Sequence, residues 1–356
     1  MKAVIYEHYG PPEVLQWQEV ARPTPKDHEV LIKVHASTVT AGDWRVRSLT
    51  MPRGFGLISR LVLGLRKPRQ AILGVELAGT VVALGSKVNQ FKVGDQVFGM
   101  DGAHMGCYAE YKCMPQDGAL ALKPASLSFE EAAALSFGGT TALDFFRRAN
   151  LKSGETVLVN GASGGVGTAA VQLAKHFGAE VTAVCSGANA ALVRSLGADH
   201  VIDYAKQDFT TNGQTYELIV DTAGTAGFSR CKGSLADKGR LLLVLGGLAE
   251  LLQAPWVGLS SGKKIIAGPA TERAQDVRLL AELAGAGKFK PVIDRRYPVA
   301  QIVEAHRYVD TGRKRGNVVI TWDTLAPDGQ SGLADAVQLV APLPSSMPGQ
   351  SDAPAR

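Results

Sequence analysis

The run Val159-Asn160-Gly161-Ala162-Ser163-Gly164-Gly165-Val166-Gly167 offers chemistry made by backbone atoms rather than side chains. Glycines turn the chain sharply and let main-chain amides approach a pyrophosphate. A helix beginning just afterwards adds free N–H groups and the positive end of its dipole. Gly164 and Gly167 fit the second and third positions of the dinucleotide fingerprint G-x-G-x-x-G, and Ala162 takes the first. The cofactor-binding positions read here are Gly161, Ala162, Ser163, Gly164, Gly165, Val166 and Gly167. A site for NAD places Asp or Glu some 20 residues on, at the end of the second strand, for the ribose 2′-hydroxyl. Here that strand ends Val184-Cys185-Ser186-Gly187. Ser186 can hydrogen-bond a 2′-phosphate that a carboxylate would repel, so the expected cofactor is NADPH. Arg194 and Tyr204 are candidates for charge and packing over the adenosine end, with an exposed helix residue as the alternative for Arg194.

Such a turn works only between a strand and a helix, and the surrounding pattern supplies both. Thr156–Asn160 is a buried-strand run, and Gly167 to Phe177 reads as helix. Glu180–Cys185, His200–Asp203, Leu218–Asp221 and Arg240–Leu245 repeat the strand signal, with helical stretches such as Ala188 to Leu196 between. That rhythm predicts a parallel sheet with helices on both faces. Ahead of it, Ala3–Tyr6, Glu29–Ala36, Leu77–Gly85 and Val93–Gly99 are short strands with glycine turns, as in a small barrel or sandwich. The character changes near residue 125, where Ser128-Phe129-Glu130-Glu131 reads as a capped helix start. Beyond Trp322 a Pro, Ser, Asp, Gln and Ala mixture reads as a largely disordered tail.

The chain's 356 residues suit two domains, and 46% apolar with 20% charged residues can bury a core. Forty glycines exceed the average share without any collagen period. The formal charge is +5. Four Asp fall in the expected tail against Arg356 alone, so the body before it is nearer +8. Four cysteines (Cys107, Cys113, Cys185, Cys231) contain no C-x-x-C pair, so reduced thiols in a cytoplasmic compartment are expected. Glu7 arrives too early for a secretory apolar region. The longest apolar stretch, Leu241 to Ala249, is far short of the ~20 residues that span a bilayer. A second run, Leu57 to Leu65, has Arg60 inside it and Arg66, Lys67 and Arg69 behind. It is expected to pack on its own protein, with contact to a membrane surface as the alternative.

With these motifs the sequence resembles the medium-chain dehydrogenase/reductase superfamily, in its zinc-independent quinone oxidoreductase-like branch. The resemblance runs from Met1 to about Thr321. It is carried by Gly74–Gly85, Val93–Gly99, Asn160–Gly167, Leu196–Tyr204 and Arg315–Ile320. It implies an α/β protein: a GroES-like β-rich catalytic domain (1–124 and 291–322) plus a Rossmann doubly wound parallel-sheet nucleotide-binding domain (125–290). NADPH would lie in the cleft between them, and residues 323–356 form the tail. Zinc alcohol dehydrogenases of this superfamily carry Cys, His and a further Cys or Asp at positions that are here Thr40, Val75 and the stretch around Ser136–Gly138. None of these binds zinc, so no metal site is expected. Without that Lewis acid, hydride delivery to a quinone or α,β-unsaturated carbonyl is the expected reaction.

The resemblance also implies catalytic candidates. Thr40 stands where this branch usually carries Asn beside the nicotinamide, and Asp43 matches the branch's Asp, with a loop-fixing carboxylate as its alternative role. Thr140 matches a turn that approaches the cofactor. Thr222 and Gly246 follow strands at their carboxyl ends, and Gly316 and Asn317 match the segment near the end. Related enzymes often carry Lys or Arg at Asn189 and Lys at Asn317, so the expectation is either a weaker phosphate affinity or compensation by Arg194, Arg313 or Arg315. The expected partners are a small-molecule carbonyl or quinone and a second copy of the chain, with Leu241 to Trp256 as the contact. No nucleic acid and no stable membrane insertion are expected. Rival readings are a carbonyl reductase or dehydrogenase of one dedicated metabolite, and a low-turnover NADPH-binding sensor or partner protein.

Overall fold

The computed structural model describes residues 1–322, and the expected tail lies outside the described residues. Strands β1 (Lys2–Ile5) and β2 (Gln16–Glu19) pair as an antiparallel ribbon. The eleven-residue β3 (Glu29–Val39) is buried at most positions on both of its faces, its polar Ser37 and Thr38 included. It leads through Thr40 into α1 (Ala41–Ser48) and then α2 (Gly56–Leu63), two helices in a segment that carried no strand signal. Strands β4 (Glu76–Leu84), β5 (Gln96–Met100), β6 (Tyr111–Pro115) and β7 (Leu120–Leu122) follow. They extend β3 antiparallel in the order β3-β4-β5-β7, with β6 also on β3.

Ser128 caps α3 (Phe129–Ala133): its side chain accepts from the Glu131 amide, and Glu131 returns a bond to the Ser128 amide. The buried α4 (Ser136–Ala149) then leads into β8 (Thr156–Asn160), α5 (Gly165–His176) and β9 (Glu180–Cys185). After these come α6 (Ala190–Ser195), β10 (His200–Asp203) and β11 (Tyr216–Asp221). The stretch continues with α7 (Phe228–Cys231), β12 (Leu235–Leu243), α8 (Leu248–Ser261) and β13 (Lys264–Ala267). The six strands are all parallel in the order β10-β9-β8-β11-β12-β13. This is the doubly wound arrangement, with its reversal between β8 and β11. Alternation splits each strand between two cores: Val157 and Val159 join one buried cluster, while Leu158 joins the cluster on the opposite face.

Helix α9 (Ala274–Gly285) precedes the return to the first sheet. Strand β14 (Ile293–Pro298), α10 (Ile302–Asp310) and β15 (Asn317–Thr321) complete the chain, and β15 pairs antiparallel with β3. One buried cluster contains Ala36, Ala78 and Phe98 of the mixed sheet together with Val157, Val220 and Leu242 of the parallel sheet, so the two sheets share a core. Among the described residues, no helix is long and apolar enough to cross a membrane.

Candidate functional site

A cleft of about 1110 Å³ opens where the order of the parallel sheet reverses. Its floor is the turn from β8 into α5. Gly161 lies at φ +80°, and a Cβ there would come within 2.6 Å of Thr222 Oγ1. At Gly167 a Cβ would meet the Gly161 carbonyl oxygen at 2.1 Å, so that position lets the helix close onto the turn. By contrast, a Cβ at Gly164 would touch only the Gly161 oxygen at 3.5 Å, so the protein leaves the space over it open. Gly164 is also the N-cap of α5, with no side chain satisfying the first amides of the helix. Open space over an uncapped helix start is what an anionic group needs. Cross-links hold the turn: Thr222 Oγ1 donates to the Asn160 and Gly161 carbonyls, and Asn160 Nδ2 donates to Asp221 and Thr225.

Gly161, Ser163, Gly164, Gly165, Val166 and Thr222 all line the cleft, whereas Ala162 and Gly167 are buried beneath it. At the end of β9, Ser186 and Asn189 line it beside Tyr204, and Asn189 Nδ2 donates to Ser163 Oγ at 3.0 Å. Among the described residues no carboxylate lines the cleft where β9 ends, although Asp203 Oδ2 lies close behind, 2.6 Å from where a Cβ on Gly187 would be; Asp208 lines the cleft further on and is held by Arg230 at 2.9 Å. Gly316 donates its amide to the Ser163 carbonyl at 2.8 Å and so pins the late return of the chain to the turn.

Other expected site residues lie elsewhere. Arg194 is exposed and does not line the cleft; five residues past Asn189, helical rotation carries it about 140° around. Thr140 belongs to α4 rather than to a turn, is buried, and spends its hydroxyl on the Ser136 carbonyl. Gly246 packs against Leu243 and Ala267 at β12, one strand beyond the reversal. Asn317 is buried rather than lining the cleft, with Nδ2 donating to the Ala134 and Val292 carbonyls, but its Oδ1 abuts the turn, 3.0 Å from where a Cβ on Gly165 would be. Thr40 and Asp43 are buried behind the wall rather than in it. Thr40 is the N-cap of α1, and Asp43 accepts from its amide at 2.8 Å, its hydroxyl at 2.6 Å and the Gly74 amide at 3.0 Å.

The wall that these two residues secure consists of Ala41, Trp44 and Arg45, faced by Phe137. The Arg45 guanidinium lies 4.9 Å from the Trp44 ring and donates to the Thr50 carbonyl, while its buried Nε has no partner. Two buried carboxylates act as staples. Asp43 holds the start of α1, and Glu76 accepts from the Thr38 hydroxyl and, at 2.6 Å, from the Phe137 amide. Burial raises both, Asp43 to about 6 and Glu76 to about 7. The fully buried Arg47 ties α1 to Asp310 of α10 at 2.6 Å. Directly after α10, Arg313, Lys314 and Arg315 line the cleft. Lys314 Nζ donates to the Gly316 carbonyl at 2.6 Å and sits 3.1 Å from where a Cβ on Gly165 would be. Burial lowers it to about 8. The cationic run 313–315 was visible in the sequence; that Lys314 faces Gly165 was not.

Among the described residues, no group of three or more His, Cys, Asp or Glu is placed to hold a metal ion. Cys107, Cys113, Cys185 and Cys231 are free thiols, all raised by burial.

Comparison with known proteins agrees with this geometry. Residues 26–124 match the alcohol dehydrogenase GroES-like domain family, and residues 196–320 match the zinc-binding dehydrogenase family. The chain is 35% identical to 2-methylene-furan-3-one reductase of Solanum lycopersicum, over 90% of this chain and 79% of that one. It is 31% identical to the quinone oxidoreductase of Homo sapiens, over 88% of this chain and 94% of the relative. The solved quinone oxidoreductase from Coxiella burnetii superposes with a TM-score of 0.78 at 31% identity, covering 90% of this chain and 99% of that one. The chain therefore belongs to the medium-chain dehydrogenase/reductase superfamily of oxidoreductases, in its quinone oxidoreductase-like branch.

Proposed function

We propose that the protein is a zinc-independent, NADPH-dependent reductase of quinones or α,β-unsaturated carbonyls. The observation that carries this reading is one cleft joining an open glycine cradle to a wall of Trp44, Phe137 and Arg45. The residues fit the cofactor. Space over Gly164, the uncapped start of α5 and the ammonium of Lys314 suit a pyrophosphate, and Ser186 and Asn189, with Arg313 and Arg315 also lining the cleft, suit a 2′-phosphate. When bound, NADPH supplies the hydride. The Trp44 and Phe137 rings fit a flat conjugated acceptor, and the guanidinium of Arg45, which lines the cleft, can donate to its carbonyl oxygen, stabilising the charge that develops there. Thr40 and Asp43 act on this reaction as positioning residues, through the start of α1.

The names of relatives support the substrate class. One is the NADPH-dependent alkenal/one oxidoreductase of Arabidopsis thaliana, 30% identical over 90% of this chain and 79% of that one. Free thiols support a reducing, cytoplasmic setting. The exposed Leu252, Trp256 and Leu259 of α8 support a homodimer contact there, not at Leu241 to Leu243, which are buried within the sheet. The deciding experiment follows oxidation of NADPH and NADH with a quinone, an enal, an enone, a saturated ketone and a primary alcohol. Rapid NADPH consumption with the first three is expected. Tight NADPH binding with no consumption by any acceptor would overturn the reading.

A further inference from the structure

Helix α2 turns its apolar side outward. Leu57, Ile58, Leu61 and Val62 are 71, 44, 53 and 61% exposed, and Leu65 just beyond the helix is 59% exposed. The half-buried positions are Ser59 and Leu63, and the helix contributes no buried residue. At ~100° per residue the four exposed helical side chains fall in one sector about 140° wide. Most of the run Leu57–Leu65, expected to pack on its own protein, therefore faces outward, with Leu63 half-buried and Gly64 buried. A helix this short is marginal in water when nothing covers its apolar face. It is nevertheless held at both ends: the Leu248 amide donates to the Arg53 carbonyl at 2.9 Å before it, and the Tyr9 hydroxyl donates to the Gly64 carbonyl at 3.0 Å after it.

The charged residues of the segment that carries this stripe are all cationic. Residues 51–70 carry Arg53, Arg60, Arg66, Lys67 and Arg69, all exposed, and no Asp or Glu. Arg60 donates to the Leu65 carbonyl, which keeps a cation at the edge of the stripe. An outward aliphatic face with basic flanks matches the layered chemistry of a bilayer that contains anionic lipid: acyl chains for the stripe, head groups for the cations. Two copies of α2 laid face to face would instead bring two acid-free cationic segments together. A nucleic acid would satisfy the cations but offers nothing to the exposed aliphatic side chains.

We propose that α2 and its basic flanks dock the protein peripherally on an anionic lipid bilayer, with the helix lying in the plane of the surface. This goes beyond the reductase reading and uses none of its residues. Because α2 follows closely on α1, docking would bring the Trp44 and Arg45 wall toward the phase in which apolar acceptors dissolve.

Cosedimentation of the full chain with vesicles tests it. Vesicles of phosphatidylcholine with phosphatidylglycerol should retain the protein, vesicles of phosphatidylcholine alone should not, and high salt should weaken retention. The double variants Leu57→Ser/Leu61→Ser and Arg66→Gln/Lys67→Gln should each lose binding at least tenfold, with circular dichroism and melting temperature unchanged. Absence of retention on the anionic vesicles would overturn the proposal, and so would equal retention of the serine variant. A wild-type dimer that dissociates in the serine variant would also overturn it, by assigning the stripe to a second copy.

Discussion

The two walls of the cleft are made in different ways. On the parallel-sheet side the wall is the turn itself, Gly161 and Ser163 to Val166, with Thr222 bonded to its backbone at Asn160 and Gly161 and Asn189 bonded to the Ser163 hydroxyl. On the mixed-sheet side, Trp44, Arg45 and Phe137 present side chains, and two buried carboxylates hold the backbone that carries them. The first wall suits a ligand part that never varies, because a phosphate asks only for amides and positive charge. The second suits a part that does vary, because exchanging a ring or a guanidinium leaves the frame intact. Removing a staple should therefore act on folding, and removing a wall side chain should act on turnover.

The largest effect is expected from Asp43→Ala. It orphans the Thr40 and Gly74 amides in a buried site, each at about 1–3 kcal/mol, so chemical denaturation should show a loss of roughly 3 kcal/mol or more. If the stability hardly moves while turnover vanishes, Asp43 belongs to the chemistry and the division between the walls fails. Arg45→Met should do the reverse. Loss of one donor at the developing oxyanion should lower kcat/KM for a quinone or enone by about 10²-fold, with NADPH affinity and melting temperature unchanged.

Ser186→Asp sharpens the other wall. A carboxylate facing a 2′-phosphate should shift the ratio of kcat/KM for NADPH over NADH about tenfold toward NADH, with the acceptor KM unaffected. An unmoved ratio would place the 2′-phosphate elsewhere. The smallest effect concerns Glu76. Because burial raises it to about 7, the folded protein keeps a proton that the unfolded chain releases. The stability this brings is complete below about pH 4, the unfolded value, and is lost as pH rises through about 7. Glu76→Gln should flatten that part of the profile of melting temperature against pH; an unchanged slope would mean that another group sets it.

Much of the first wall was legible because its cause is local. Strand, glycine turn and helix are neighbours in sequence, and β8 and β9 occupy the ranges their hydrophobic runs indicated. Ser186, Asn189, Tyr204 and Thr222 also reach the cleft as expected. Motif matching failed where only orientation decides. It marked Thr40 and Asp43, correct for the element but one turn position away from Trp44 and Arg45, which face the cleft. Asn317, marked by its place in the segment, does bring its Oδ1 to Gly165, and Lys314, three residues earlier and unmarked, brings its ammonium there as well. Arg194 has suitable charge, but its helix turns it away.

The amino-acid sequence by itself determined the two kinds of sheet, the glycine turn between β8 and α5 and the lack of an acid at Ser186, since each follows from residue types within a few positions of one another. Tertiary structure decided which side of α1 meets the cleft. Arg47 reaches Asp310 across 263 residues and Glu76 reaches Phe137 across 61, and such long-range bonds set a helix's rotation where no local pattern can. It also decided that the apolar run of α2 faces outward. Composition states how much apolar surface a segment owns, and only packing states what covers it.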